Sequence, residues 1–349
     1  MRRGLKLWGL AVSGVLATAA PAAACGGLIG SNGSVNLLKT STLAAYSDGV
    51  EHYVTVFNFS GGGAKFGSIV PLPGIPSDVK KGGAWTLQRL AQEVQPVDRD
   101  FFRSSALEAA GASKADVIME VDVDALDITI VKGGGDEVGR WAKAEGFRLT
   151  PDSPEVLDFY AARSPVFMAV AFDSARADEL GRVEGEGIPV HLSIPTHDPW
   201  VPLRILGLGK QAAEQVEADV FLLTPNEPRM LPVPGPTTEG MRLQRSEPAS
   251  SSLLADLRSD RGMKWLPADN MWLSYLQIDS EAGALTYDLA VDPTGAGAPS
   301  PVAAGLVPPL RVQVPPEALS PWPWLVAIAF GITVLWGVDR ALAPSWPKP

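Results

Sequence analysis

Residues 322–338 read WPWLVAIAFGITVLWGV, a run without a single charge. As a helix rising 1.5 Å per residue it extends roughly 25 Å, about the reach needed to cross the hydrocarbon core of a bilayer. Trp322 and Trp324 stand at one end and Trp336 at the other, the positions of an aromatic belt at two interfaces. Pro321 and Pro323 suit a helix start, and Asp339 and Arg340 end the apolar run. A core helix seldom closes a chain behind a Pro-rich linker with tryptophans at both ends. The spacing therefore predicts a transmembrane helix over 322–338, with 339–349 as a short tail.

The opposite end carries a second apolar signature. Arg2, Arg3 and Lys6 precede an apolar stretch from Leu7 to Ala19, Pro21 breaks it, and Ala22-Ala23-Ala24 offers the small residues of a cleavage site. Residues 1–24 read as a signal peptide. Cleavage after Ala24 leaves Cys25 first. Acylation of Cys25 is an alternative to plain cleavage, but a lipobox has a Leu-like residue where Ala22 stands. Export followed by a C-terminal stop places residues 25–320 outside, with the basic tail in the cytoplasm. The expectation is a single-pass cell-membrane protein.

The whole chain has 349 residues and a formal charge of −10. Without the basic residues of the two ends and Asp339, 24 basic and 38 acidic residues remain outside, a charge of −14. Such a domain lacks the basic face that phosphate neutralisation requires, so a nucleic-acid partner is excluded. Its apolar content of 46% argues for a folded core rather than disorder. One cysteine allows no internal disulfide.

Between the ends the hydrophobic period changes often. Val50–Phe59 alternates, and Ser47-Asp48-Gly49 before it is a hairpin turn signal. With 37–46 and 66–72 this region reads as a meander. Trp85–Val94 has helical spacing and stops before Pro96; 116–131 alternates as one long strand or a bent pair. Helices are expected over 136–145 and from Ser153, with Ser153 as N-cap and Pro154 at the first turn. Further strands are expected at 166–172, 188–194, 203–208 and 218–224, a helix at 251–258, and a last hairpin from 272–279 and 284–291. This is an α+β pattern of mostly antiparallel strands with a few short helices. Residues 25–291 are enough for one large or two modest domains, with a possible boundary near 175–187. Residues 292–321, rich in Pro, Ala and Gly, read as a stalk.

Catalytic motifs are scarce. No G-x-S-x-G occurs. Gly207-Leu208-Gly209-Lys210 lacks both the upstream glycine and the following Ser or Thr of a phosphate loop. The spacing of Asp122, Asp124 and Asp127 does not fit a calcium loop, and the pair Asp122 and Asp124 reads as a solvated strand face. The three histidines are His52, His191 and His197. His191, His197 and Asp198 are the only group that suggests catalysis, with Ser193 between them; the same three with His52 are the only candidates for metal ligands. The competing reading of His197-Asp198-Pro199 is a polar turn at a strand end. Trp85, Trp141, Trp265 and Trp272 read as core residues, whereas Trp200, in HDPWVP, reads as a loop tip. No cofactor is expected.

The phrases ACGGLI, DGVEHYVTVFNF, GSIVPLPGIP, GGAWTLQRLAQE, SPEVLDFYAARSPVFMAV, IPVHLSIPTHDPWVPLRILGLGK and MWLSYLQID, in this order over residues 24–290, resemble the DUF2330 family of bacterial, mainly actinobacterial, proteins. The resemblance implies an exported, often membrane-anchored protein and supplies no catalytic residues. The expected role is non-catalytic binding or scaffolding of an envelope protein or ligand. The alternative is a metal-dependent or hydrolytic enzyme acting on an envelope polymer.

Overall fold

In a computed structural model the chain is described over residues 27–30, 33–34, 40–58, 66–94, 117–181 and 187–309. The signal segment, Cys25, the end of the stalk, the apolar stretch 322–338 and the tail lie outside the described residues. Among the described residues no helix is long and apolar enough to cross a membrane.

Two short strands, β1 (Gly27–Gly30) and β2 (Gly33–Ser34), come first. The expected hairpin follows as β3 (Thr40–Ser47) and β4 (Val50–Asn58). Both central turn residues have positive φ, 52° at Asp48 and 77° at Gly49, which matches the twist of the flanking strands. Next come β5 (Phe66–Pro71), β6 (Asp78–Lys81) and the amphipathic helix α1 (Trp85–Val94). The 116–131 alternation is a bent pair, β7 (Val117–Val123) and β8 (Leu126–Lys132), turning at Asp124. Asp124 is not on a solvated face: it is buried and pairs with Lys81 at 2.8 Å.

Helices α2 (Gly135–Ala144) and α3 (Ser153–Ala161) lead to the fully buried strand β9 (Val166–Phe172) and the short helix α4 (Ser174–Glu179). Ser153 is the first residue of α3 rather than its cap, and its hydroxyl lies 2.9 Å from that of Thr150. The remaining elements are β10 (Gly187–Pro195), β11 (Trp200–Val201), β12 (Gln215–Thr224), β13 (Arg229–Leu231), β14 (Met241–Pro248), α5 (Ser251–Ser259), β15 (Trp272–Glu281) and β16 (Leu289–Asp292). Ser250 caps α5 by accepting from the Leu253 N–H at 3.1 Å.

The strands form a six-stranded sheet ordered β2-β1-β5-β9-β8-β7, a seven-stranded sheet ordered β14-β15-β12-β3-β4-β10-β6, and a small sheet β11-β16-β13. Pairing is antiparallel except between β12 and β3. The fold is thus α+β, sheet-rich and mostly antiparallel. Alternate residues of one strand enter different cores. Tyr53, Leu192 and Val220 meet Val70, Ile128 and Met168 between the two large sheets. On the outer face of the six-stranded sheet, Ile69, Phe167 and Ala169 pack on Trp141, Leu157 and Tyr160 of α2 and α3. On the outer face of the seven-stranded sheet, Leu43, Val54 and Phe221 pack on Leu87, Leu90, Leu253 and Leu257 of α1 and α5. Helix, sheet, sheet and helix form four layers, so both faces of each large sheet are covered.

Three local expectations are corrected. The meander breaks after β4, because β5 pairs with β1 and β9 in the other sheet. Residues 203–208 are not a strand but contain a 3-10 turn, Arg204–Gly207. Its free N–H groups are taken by side chains: Asp288 accepts from Leu203 and Arg204 at 2.7 and 3.0 Å, and the Tyr160 hydroxyl accepts from Ile205 at 2.8 Å. The last two strands form no hairpin. β15 lies between β12 and β14, and the 3-10 turn Ala282–Ala284 carries the chain away to place β16 in the small sheet.

The compact unit runs to Pro308, past the suggested boundary near 175–187. Its closing segment belongs to what the sequence reads as stalk. Ala303 and Ala304 are buried in the α2–α3 core, and the Asp288 N–H donates to the Ala304 carbonyl at 3.0 Å.

Candidate functional site: a buried histidine pair under Trp265

The antiparallel register of β4, β10 and β6 sets His52 opposite Ser193 and Ser193 opposite Asp78, with His191 opposite Lys80 one step along. The strand period of two puts these side chains on the face toward α1 and α5. His52 Nδ1 and His191 Nε2 meet at 3.0 Å. Ser193 Oγ lies 3.4 Å from the same His52 nitrogen. The Trp265 indole, from the segment between α5 and β15, stacks on the His52 ring with centroids 3.4 Å apart and planes within 5°. Among the described residues, the buried His191 Nδ1 and Trp265 Nε1 have no hydrogen-bond partner.

Burial dominates the electrostatics. It pushes His52 down to about 3, helped by His191 and Lys80. It pushes His191 down to about 4, helped by Lys80 and opposed by Asp78. Both rings are neutral at pH 7, so one nitrogen of the facing pair carries a proton and the other a lone pair. A base held this low is a poor acceptor for a serine proton near neutrality. The contact between Ser193 and His52 is a long one, at 3.4 Å. What the cluster offers is neutral imidazole and hydroxyl donor atoms beside an aromatic face.

The sequence-derived group does not assemble as one cluster in these contacts. His191 is buried in mid-strand and pairs with His52, whereas His197 and Asp198 are exposed in the turn after β10. There the Asp198 N–H donates to Thr196 Oγ1 at 3.3 Å, the geometry of a polar turn. Among the described residues no group of three or more His, Cys, Asp or Glu is arranged to hold a metal ion. Trp200 is not a loop tip: it is 3% exposed and stacks on Tyr160.

Sequence reasoning missed a second feature, on the other face of β4. Glu51 stands opposite Tyr46 across the β3–β4 hairpin. It is fully buried beside Ala44, Trp200, Val201 and Leu222 in a crevice too narrow for a water-sized guest. Neither carboxyl oxygen of Glu51 nor the Tyr46 hydroxyl makes a hydrogen bond of normal geometry. Burial raises Glu51 to about 8, against a smaller lowering by the Trp200 backbone N–H. Burial, then Glu51 and Asp198, push the Tyr46 hydroxyl far up. The one available signal was a glutamate inside a strand, which ordinarily marks a solvent face.

A four-layer α+β domain with a neutral, tryptophan-capped histidine pair is the class these observations define. The model of DUF2330, described as an uncharacterized protein conserved in bacteria, matches residues 19–230, and the chain belongs to that family. The matched span includes Glu51, His52, His191 and Ser193 and stops before Trp265. No curated protein matches the chain. Solved structures similar to it include baculovirus P35, at 9% identity and a TM-score of 0.38, covering 73% of this chain and 96% of that one. A mutated baculovirus P35 after caspase cleavage is similar at 9% identity and TM-score 0.36, over 73% and 99%. The caspase-8/P35 complex matches at 8% and 0.34, over 73% and 90%. Likenesses this distant carry no functional argument.

Proposed function

We propose that the protein is a single-pass, extracytoplasmic domain tethered by a transmembrane helix over 322–338, and that it acts by non-catalytic binding or scaffolding at the cell envelope. The anchor rests on the sequence: a signal-like start, an uncharged aromatic-flanked run near the end, and a short basic tail. The binding role rests chiefly on the histidine pair. Burial pushes its rings down to about 3 and 4, far from the pH at which a general base is effective, and leaves neutral imidazole donor atoms beside an aromatic face.

The test is fractionation of cells producing the full chain, followed by protease treatment of intact cells. The full chain should sediment with membranes and lose its ectodomain to external protease. A chain ending at Pro309 should be released. Recovery of the full chain in the cytosol would overturn the anchored reading. Envelope-polymer hydrolysis that is present in the wild type and absent in His52→Ala or His191→Ala would replace binding by the enzymatic alternative.

A further inference from the structure

We propose that His52 Nδ1, His191 Nε2 and Ser193 Oγ form a site for one late first-row transition-metal cation, copper or zinc. The inference deepens the binding reading of this cluster and is independent of the membrane anchor. Two imidazole nitrogens bound to one tetrahedral metal at about 2.0–2.1 Å stand roughly 3.3 Å apart. The two nitrogens are already 3.0 Å apart, and the hydroxyl is 3.4 Å from one of them. Seating the cation would require the two nitrogens to part by about 0.3 Å, and the Trp265 indole to lift from the His52 ring to admit the water that completes the ligand set.

Proton balance is simple. In the metal-free pair one proton lies in the gap between the rings. Metal entry moves it to an outer ring nitrogen, such as His191 Nδ1, which is buried and unpartnered. Two nitrogen–metal bonds form, one N–H bond breaks and another forms, and no net proton is released. Imidazole with a hard hydroxyl suits copper(II) and zinc better than magnesium or calcium, and copper(II) should bind tighter than zinc.

The surrounding charges oppose each other. Lys80 repels a cation, but its ammonium is held 2.6 Å from Asp78. Asp78 in turn stands opposite Ser193 in the register. Gly262 leaves room beside the outer nitrogen, since a Cβ there would lie 3.4 Å from His191 Nδ1.

Because the chain has three histidines, each can be tested alone. The full chain, purified in detergent without a histidine tag and carrying Cys25→Ser, is titrated with Cu2+ and with Zn2+. Indole emission is followed and bound metal is counted by elemental analysis. One equivalent should bind with quenching that disappears in Trp265→Phe while the metal is retained. His52→Ala and His191→Ala should each weaken binding at least tenfold. His197→Ala should leave it unchanged, and Lys80→Ala should tighten it. If the alanine variants do not fold, His191→Asn replaces them, and X-ray absorption of the loaded wild type counts the imidazoles, two being expected. The site is refuted if the wild type holds no metal at micromolar concentration, if the His52 and His191 variants bind as well as wild type, or if only His197→Ala abolishes binding. A failed titration leaves the fractionation result untouched, so the two readings fall separately.

Discussion

Arg163, just past the C-terminal end of α3, donates to Asp288 Oδ2 at 2.5 Å, and both side chains are almost completely buried. The other carboxyl oxygen of Asp288 accepts from the Tyr160 hydroxyl at 2.8 Å as well as from the Leu203 and Arg204 N–H groups. The Arg163 guanidinium also lies over the Phe159 ring and donates to the Ala303 carbonyl. One carboxylate thus joins α3, the 3-10 turn and the segment that closes the fold. Asp288→Ala would leave a buried guanidinium and several N–H groups unpaired. Denaturant titration should show a loss of about 3–5 kcal/mol. Arg163→Met combined with Asp288→Leu should lose less than the sum of the single variants.

Glu51 carries a pH dependence of definite sign. Its folded value of about 8 exceeds the ordinary carboxyl value of 4.5, so the folded state holds the proton more tightly. Below 4.5 both states are protonated and the residue contributes nothing to the dependence. Between 4.5 and 8 the unfolded state ionises first and stability falls as pH rises; above 8 the loss is complete, on the order of a few kcal/mol. In the metal-free protein Glu51→Gln should flatten this slope. The variant should be the more stable one at pH 8 and lose its advantage near pH 4.5, as read by thermal melts across the range.

Helix α1 is capped from a distance. Asp260 Oδ2 accepts from the Thr86 N–H and hydroxyl, both at 2.7 Å. Asp260→Ala should cost about 1–2 kcal/mol, the range for loss of a capping side chain. Because Asp260 starts the segment that carries Trp265, the same change should shift Trp265 emission. Asp256→Ala, at an exposed partner of Arg89, should not.

Gly240 has φ +73°, and a Cβ there would lie 2.3 Å from Ser280 Cβ and 2.8 Å from its Cα. Gly240→Ala should destabilise by more than about 1 kcal/mol, because relief of the clash requires moving the β14–β15 ladder. A chemical denaturation midpoint close to wild type would contradict this packing.

The local elements were legible where one signal was strong. Asp48-Gly49 specified its turn, and the spacing of Trp85, Leu87 and Leu90 specified α1. β14 was not, because Arg242, Gln244 and Glu247 face solvent at a sheet edge, Arg245 is half-buried against the Glu93 carbonyl, and no apolar alternation is left. The candidate site was legible only as a set of residue types. His52 was named with His191, but their contact depends on a register across 139 positions. Trp265 has no periodic neighbours to announce it. Glu51 went unnoticed for a physical reason: the rule that one strand face meets water fails where helices cover one side of a sheet and a second sheet covers the other.

The parallel pairing of β3 with β12 joins Thr40 to Ala218 in the middle of the larger sheet. Strands made early must therefore wait for partners made late, and β15 completes their row only at Glu281. Ladders closed over such distances form slowly, since the loop entropy is lost before the contacts return it. A nascent chain would spend that interval with the edge of the β3–β4 hairpin unpaired.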